Sequence, residues 1–494
     1  MGSALLHSNP RSIASALALA AACAVISCAA APPATLVVRA GRLFDGDGGP
    51  TRNNVRLVIT EGVIQAIEAD GEPLPAHLQP SDTVGVVDAR DLTVMPGLID
   101  VHTHMASSGA CTVGVGIGAT QIARNLYAAI RAGVTTVADL GGPPEVTLAM
   151  RRWTGTARHR GPRVMVAGPM LTVPDGYLTK EADGELVEMG AAIPLTDPGV
   201  ARATVRHLFD LGVDLVKVGL QEVNFRNEAI PLLEGEILCA AVEEAHRLEL
   251  RVVAHATGVR SYEAALDCGV DALVHGPFVE IEDGLIQRVA DLELPVAPTL
   301  FVFDAMAWGP AHLEYLDRPA AARALTPEIM EDLRAFAAQS QTNPEFLPDF
   351  MMEDVPKRLL ADAVARLRAN VPKLRAAGIP LAMGTDSATC FNYSGSPIEE
   401  LRRLVEVGLS PAEALQVGTA GSARLLNLGE ALGKARVGYR ADLIAVDGRP
   451  DEDIDAIQNV RHVILDGLLQ EPSPPGIGAG MSLGTRILWT YAVP

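Results

Sequence analysis

The chain has 494 residues, enough for one large domain and a smaller one; at 48% hydrophobic and 20% charged it can bury a sizeable core. Its net charge of −20 argues against nucleic acid as a partner and against an electrostatic hold on anionic lipid.

Arg11 precedes an apolar stretch, Ile13 to Ile26, that ends Val25-Ile26-Ser27-Cys28. A basic residue, a short apolar region and a small residue before a break read as a secretory signal over residues 1–28. The stretch is short for a membrane span. Its ending resembles the bacterial lipoprotein signal, in which Cys28 would become the lipidated first residue; the competing reading is an ordinary cleaved signal. The expectation is an exported protein, periplasmic or anchored to the bacterial envelope, which meets the membrane only through that lipid. Cys111, Cys239, Cys268 and Cys390 are scattered and make no disulfide framework. Cys239 and Cys268 fall in helical patterns and read as small core residues, although one bridge would suit export.

Residues 29–34 read as a linker. Leu36–Ala40, Val55–Ile59 and Val63–Ile67 are short strands between Gly, Asp and Asn turns, and Val84–Asp88 and Leu92–Pro96 continue the series. From Leu98 onward, continuous apolar runs alternate with helical segments. The runs are Leu98–His102, Thr135–Leu140, Arg163–Ala167, Leu215–Val218, Arg251–Ala254, Ala272–Val274, Pro295–Leu300 and Pro380–Gly384. Gly133, Gly212, Gly269 and Gly378 stand where helix C-caps belong. Strands apolar on both faces imply a parallel sheet covered on both sides, and eight such units predict a (β/α)₈ TIM barrel over 96–429. An insertion at 303–373, partly helical, follows the seventh run. Ser410 and Pro411 open a final helix. Residues 441–446 and 460–465 return to strands, so 35–95 and 430–470 are expected to form a small β-sandwich from both ends of the chain. The 471–494 tail has no assignment.

The polar residues at the ends of the runs carry the chemistry. His102 and His104 share one face of the first strand's tip, since strand residues two apart point the same way. Lys217 lies in the fourth run, His255 ends the fifth, His275 the sixth and Asp386 the eighth. Any one of these alone is more simply a structural histidine, a solvated lysine or a helix N-cap. Yet only 11 histidines are in the chain, and four fall where a barrel places catalytic groups.

Pro96-Gly97-Leu98-Ile99-Asp100-Val101-His102-Thr103-His104, the Lys217 run, the His255 and His275 strand ends, Gly384-Thr385-Asp386 and the closing Gly433–Leu443 stretch resemble the amidohydrolase superfamily of metal-dependent hydrolases. The nearest likeness is to its imidazolonepropionase-related branch, which includes Xaa-Pro dipeptidases. The resemblance implies two divalent ions, expected to be zinc. His102, His104 and Asp386 would hold one and His255 and His275 the other, with Lys217, carboxylated by CO₂, bridging them. It implies that a water acidified between the cations attacks an amide carbonyl and that Asp386 shuttles the proton. A dipeptide or N-acyl amino acid is the expected substrate. Opening of a cyclic amide or lactone is the alternative, and a catalytically inactive surface lipoprotein scaffold is the non-enzymatic one. Tyr177 after the third run, Arg260 after the fifth and Phe278 after the sixth are candidate substrate contacts, Arg260 through a bidentate pair with a carboxylate. The oligomeric state is left open; a homo-oligomer would be compatible with the sequence.

Overall fold

The computed structural model describes residues 35–71, 84–107, 118–155, 161–179, 185–224, 227–308, 313–325, 327–342, 354–389, 392–471 and 483. The expected signal with Cys28, the 29–34 linker and nearly all of the 471–494 tail lie outside them.

Four strands come first: β1 (Thr35–Leu43), β2 (Arg52–Thr60), β3 (Val63–Ala69) and β4 (Val84–Pro96). Nine follow: β5 (Leu98–Thr103), β6 (Val134–Asp139), β7 (Arg163–Val166), β8 (Met170–Thr172), β9 (Ala192–Pro194), β10 (Leu215–Leu220), β11 (Arg251–Ala256), β12 (Ala272–Val274) and β13 (Val296–Ala297). β14 (Leu443–Val446), β15 (Val460–Leu465) and β16 (Leu468–Gln470) close the chain.

Both ends of the chain meet in one sheet, ordered β16-β15-β14-β4-β1-β2-β3. The small β domain expected from both ends of the chain is thus hydrogen-bonded, among the described residues, into one seven-stranded sheet. The runs Val84–Asp88 and Leu92–Pro96 merge into β4, because no Gly or Pro separates them. Val38, Leu57, Ile64, Leu443 and Ile464 share one buried cluster, so residues more than 400 positions apart fill the same core. The β3 edge is not left bare: Gly438 N–H donates to Ile64 O, and Ile64 N–H donates to Tyr439 O.

The parallel strands form two sheets, β13-β12-β11-β10-β8-β9 and β5-β6-β7, rather than one uninterrupted ring. The third run explains the break. Gly168 takes a left-handed φ of +73°, and Pro169 has no N–H to give to a ladder. The piece before them, β7, pairs with β6; the piece after, β8, pairs with β10. Asp214 N–H still donates to Val166 O across this gap at 2.8 Å. At the other seam the eighth run makes one bridge, Val296 to Leu381, instead of a strand. Ala382 N–H donates to Val296 O and Val101 N–H to Met383 O, both at 2.9 Å, so this run lies between β13 and β5.

Both faces of these strands are covered, as their unbroken apolar runs require. In β10 and β11, Val216, Val218, Val252 and Ala254 join the large core under the helices. Leu215 and Val253 belong to a second cluster on the opposite face. Two residues further along that face come Lys217 and His255.

Helix ends follow the local sequence. Gly212 and Gly269, at φ +88° and +77°, cap the helices Pro198–Leu211 and Val259–Cys268. Ser410 caps Pro411–Gln416 in a reciprocal box with Glu413. That helix continues through a π-helical turn at Val417–Gly421 into Ser422–Leu425. Ser422 Oγ then accepts from Met383 N–H at 3.0 Å, anchoring the eighth run.

The insertion forms helices Pro319–Ala324, Pro327–Thr342 and Asp354–Ala376 after Leu300–Trp308. Asn370 of the long helix donates to the carbonyls of Pro277 and Val279, tying it to the loop after β12. Cys239 and Cys268 are not separate core residues. They form a disulfide joining helix Gly235–Arg247 to helix Val259–Cys268. No helix among the described residues is long and apolar enough to cross a membrane.

Candidate metal centre

β5 delivers His102 at its penultimate position and His104 just beyond its end. The chain after the eighth run pairs back onto them: Asp386 N–H donates to His102 O at 2.7 Å, and His104 N–H donates to Ser387 O at 3.0 Å. These bonds carry the Asp386 carboxylate to the two rings. Its Oδ1 lies 3.0 Å from His104 Nε2 and 3.5 Å from His102 Nε2. One ligand atom from each of the three residues falls within 4.8 Å of the others. Gly384 permits the approach, since a Cβ there would stand 3.0 Å from His102 Cβ.

The other two imidazoles complete a chain of rings. His102 and His275 are 4.9 Å apart between centroids, and His275 and His255 are 4.4 Å apart. Lys217 is buried, at 2% exposed. Burial pulls its amine down to about 7, against the pull of the Asp386 carboxylate, so the neutral form becomes accessible near neutral pH. The imidazoles of His102, His255 and His275 are held well below the usual range, by burial first and then by cationic neighbours including Lys217. Burial also lowers His104, but the Asp386 carboxylate beside it outweighs that and raises it. Neutral imidazole is the form that binds metal.

Whether a cation fits can be judged from atoms left without partners. His102 Nδ1 and Lys217 Nζ are buried and have no hydrogen-bond partner among the described residues. Unpaired buried polar atoms are costly, roughly 1–3 kcal/mol each, unless something else satisfies them. Imidazoles and a carboxylate converging within ligand distance suit a borderline divalent ion such as zinc. Backbone strain gathers here too: His275, Thr299 and Asp386 have φ of +71°, +52° and +53°. Non-glycine residues in that region cost about 1–3 kcal/mol each and cluster at functional sites.

The candidate substrate residues divide. Tyr177 packs against His255 with centroids 4.3 Å apart and the rings tilted by 32°. Phe278 packs edge-on against Phe303 at 4.5 Å, Phe303 meets His275 at 5.2 Å, and Phe278 N–H donates to Thr257 O at 2.7 Å. Arg260 is exposed and donates to Glu234 at 2.7 Å. Without substrate, its partner is therefore a surface carboxylate of the chain itself.

Several residues that shape the site were not singled out from the sequence. Asp100 accepts from Thr385 N–H and Oγ1–H, at 2.9 and 2.6 Å, locking β5 to the Gly384-Thr385-Asp386 turn. Asp139 accepts from Met105 N–H and fixes the chain just past His104. Thr299 contacts His275 Nδ1 at 2.6 Å, and Gln221 contacts His255 Nε2 at 2.8 Å. Gln221 and Thr299 both stand at or just beyond run ends, and that shared position was the available signal.

Comparison with known proteins gives the same grouping. The model of the amidohydrolase family matches residues 93–469. Ochratoxinase of Aspergillus niger is 27% identical over 481 residues, covering 90% of this chain and 87% of its own. Imidazolonepropionase of Pseudoalteromonas atlantica is 24% identical, covering 86% and 93%. Among solved structures, a Xaa-Pro dipeptidase with methionine bound in its active site superposes with a TM-score of 0.69 at 24% identity, over 88% of this chain and all of that one. The structure of Aspergillus niger ochratoxinase superposes with a TM-score of 0.68 at 22% identity, over 91% and 98%. The chain is a hydrolase of the amidohydrolase family.

Proposed function

We propose that the protein is a two-metal hydrolase that cleaves the amide C–N bond of a small substrate, a dipeptide or an N-acyl amino acid. The observation that carries this is Lys217: a buried amine with no hydrogen-bond partner among the described residues, electrostatically coupled to His102, His255, His275 and Asp386. His102, His104 and Asp386 would hold one ion and His255 and His275 the other. When bound, two zinc ions would polarise the scissile carbonyl and acidify a water between them.

The chain's own residues do the rest. Lys217, whose neutral form is accessible near pH 7, would add to CO₂: its nitrogen forms the N–C bond, a proton leaves to water, and the resulting carbamate would supply carboxylate-type oxygens to the ions that the histidines and Asp386 would hold. Asp386 is held by its strained backbone with Oδ1 toward the histidines, where it takes the proton released at attack and returns it to the leaving nitrogen. Tyr177 and Phe303 wall the site beside His255 and His275. The two parallel sheets read as one (β/α)₈ barrel with bridged seams, its strand ends gathered around this centre. Export is supported by the Cys239–Cys268 disulfide, a bond that persists in oxidising compartments; a lipid anchor on Cys28 belongs to the same proposal.

The test is a panel of dipeptides, N-acyl amino acids, lactones and cyclic amides offered to the zinc-loaded chain, read by amine and by acid release. Amine from the linear amides is expected. Acid from rings with no peptide turnover would replace the reading with ring opening, which the likeness to imidazolonepropionase favours. A chain that binds no metal and turns over nothing would be a scaffold.

A further inference from the structure

His255 is gripped through one ring nitrogen by an amide whose orientation is fixed. Gln221 Oε1 lies 2.8 Å from His255 Nε2 and accepts from Thr257 Oγ1–H at 2.7 Å. On its other side Gln221 Nε2 donates to Val223 O at 2.8 Å. Turning the amide over would set its oxygen against the Val223 carbonyl, two acceptors at hydrogen-bond distance with no proton between them. Val223 cannot easily move away, because it bridges Ala229 and its neighbour Glu222 accepts from Ile230 N–H. Gln221 is itself only 6% exposed, so water does not compete for these contacts.

The amide oxygen therefore faces His255, and an amide oxygen only accepts. His255 Nε2 must carry the hydrogen. A neutral imidazole carries one, so its lone pair sits on Nδ1. We propose that Gln221 is a positioning residue that fixes His255 as the Nε2–H tautomer and so presents Nδ1 as the metal-binding atom. The proposal rests on the two-metal reading above. His275 differs: its Nδ1 meets the Thr299 hydroxyl at 2.6 Å, and a hydroxyl either donates or accepts. Thr299 orients the ring without dictating the tautomer. Gln221 is thus the residue that assigns the coordinating nitrogen, and it does so from the end of the strand that carries Lys217.

The experiment compares the full chain with Gln221→Leu, which removes the acceptor at similar volume, and Gln221→Glu, which keeps one. Zinc per chain and zinc affinity are measured by chelator competition, and the tautomer by ¹⁵N spectra of metal-free, histidine-labelled protein. Wild type should hold two ions and show His255 as Nε2–H. Gln221→Leu should lose about 10- to 100-fold in affinity for one ion and leave the other unchanged, while Gln221→Glu stays nearer wild type. Both ions at wild-type affinity in Gln221→Leu, or His255 as Nδ1–H in wild type, would overturn the assignment. Fewer than two ions in wild type would instead sink the two-metal reading; the metal-free spectrum would still judge Gln221. If Gln221→Leu does not fold, Gln221→Glu and the wild-type spectrum decide.

Discussion

At Lys217 burial and charge work against each other, and the balance has a measurable pH signature. In the unfolded chain the amine titrates near its ordinary 10.5; in the folded chain burial brings it to about 7. Between those values the unfolded state binds more protons, so stability rises with pH across that window. Below about 7 both states are protonated and the full cost of a buried ammonium is present. Protein stripped of metal by a chelator should therefore show a thermal midpoint that rises from pH 7 toward pH 10, and Lys217→Met should flatten that rise. An unchanged slope in the variant would remove Lys217 as its source. The residue scale is also where the sequence was most and least informative. His102 and His104 were legible because strand period alone puts them on one face, and Asp386 because it ends an apolar run. Gln221 and Thr299 were not, because their partners lie 34 and 24 residues away, across neighbouring strands.

At the scale of elements, helix caps were readable because they are local. Ser410 closes its box with Glu413 three residues on, and Gly212 and Gly269 take the left-handed turn that ends a helix. Ser410→Ala should lower stability by about 1 kcal/mol, seen as a small shift in denaturation midpoint with metal binding unaffected. β8 escaped notice because Gly168 and Pro169 read as a stop after the third run rather than a kink, and β9 because it is three residues long and ends in a proline. The Cys239–Cys268 bridge escaped because pairing is set by how two helices pack. It closes a loop of 29 residues' separation, for which chain entropy gives about 3.5 kcal/mol. Replacing both cysteines by serine should lower the thermal midpoint by several degrees. Reductant should do the same to wild type and nothing further to the double variant. A wild type indifferent to reductant, with the bond shown to be broken, would contradict this.

At the scale of the molecule, an ionic cluster ties the insertion to the rest. Arg403 donates to Asp304 at 3.0 Å and to Glu399 at 2.9 Å, Arg368 of the long helix shares Asp304, and Arg318 reaches Glu399. Arg403, Asp304 and Glu399 are all buried. Asp304→Ala would leave the Arg403 guanidinium half-paired in the interior and should cost about 3–5 kcal/mol by chemical denaturation. A cost below about 1 kcal/mol would mean that water or a shifted Glu399 replaces the lost partner. The alternation of strands and helices was visible in the sequence, because runs such as Pro295–Leu300 and Pro380–Gly384 are unbroken by charge. The single sheet built from both termini was only half visible, because pairing β14 with β4 joins residues some 350 positions apart.

On the proposed function, Lys217 joins two metal ions into one hydrolytic centre. The most direct measurement is zinc per chain and amine release from a dipeptide panel, taken together on wild type and Lys217→Ala. Wild type should hold two ions and release amine; Lys217→Ala should lose metal and activity in step. Full activity in Lys217→Ala, or in wild type freed of metal, would contradict the claim.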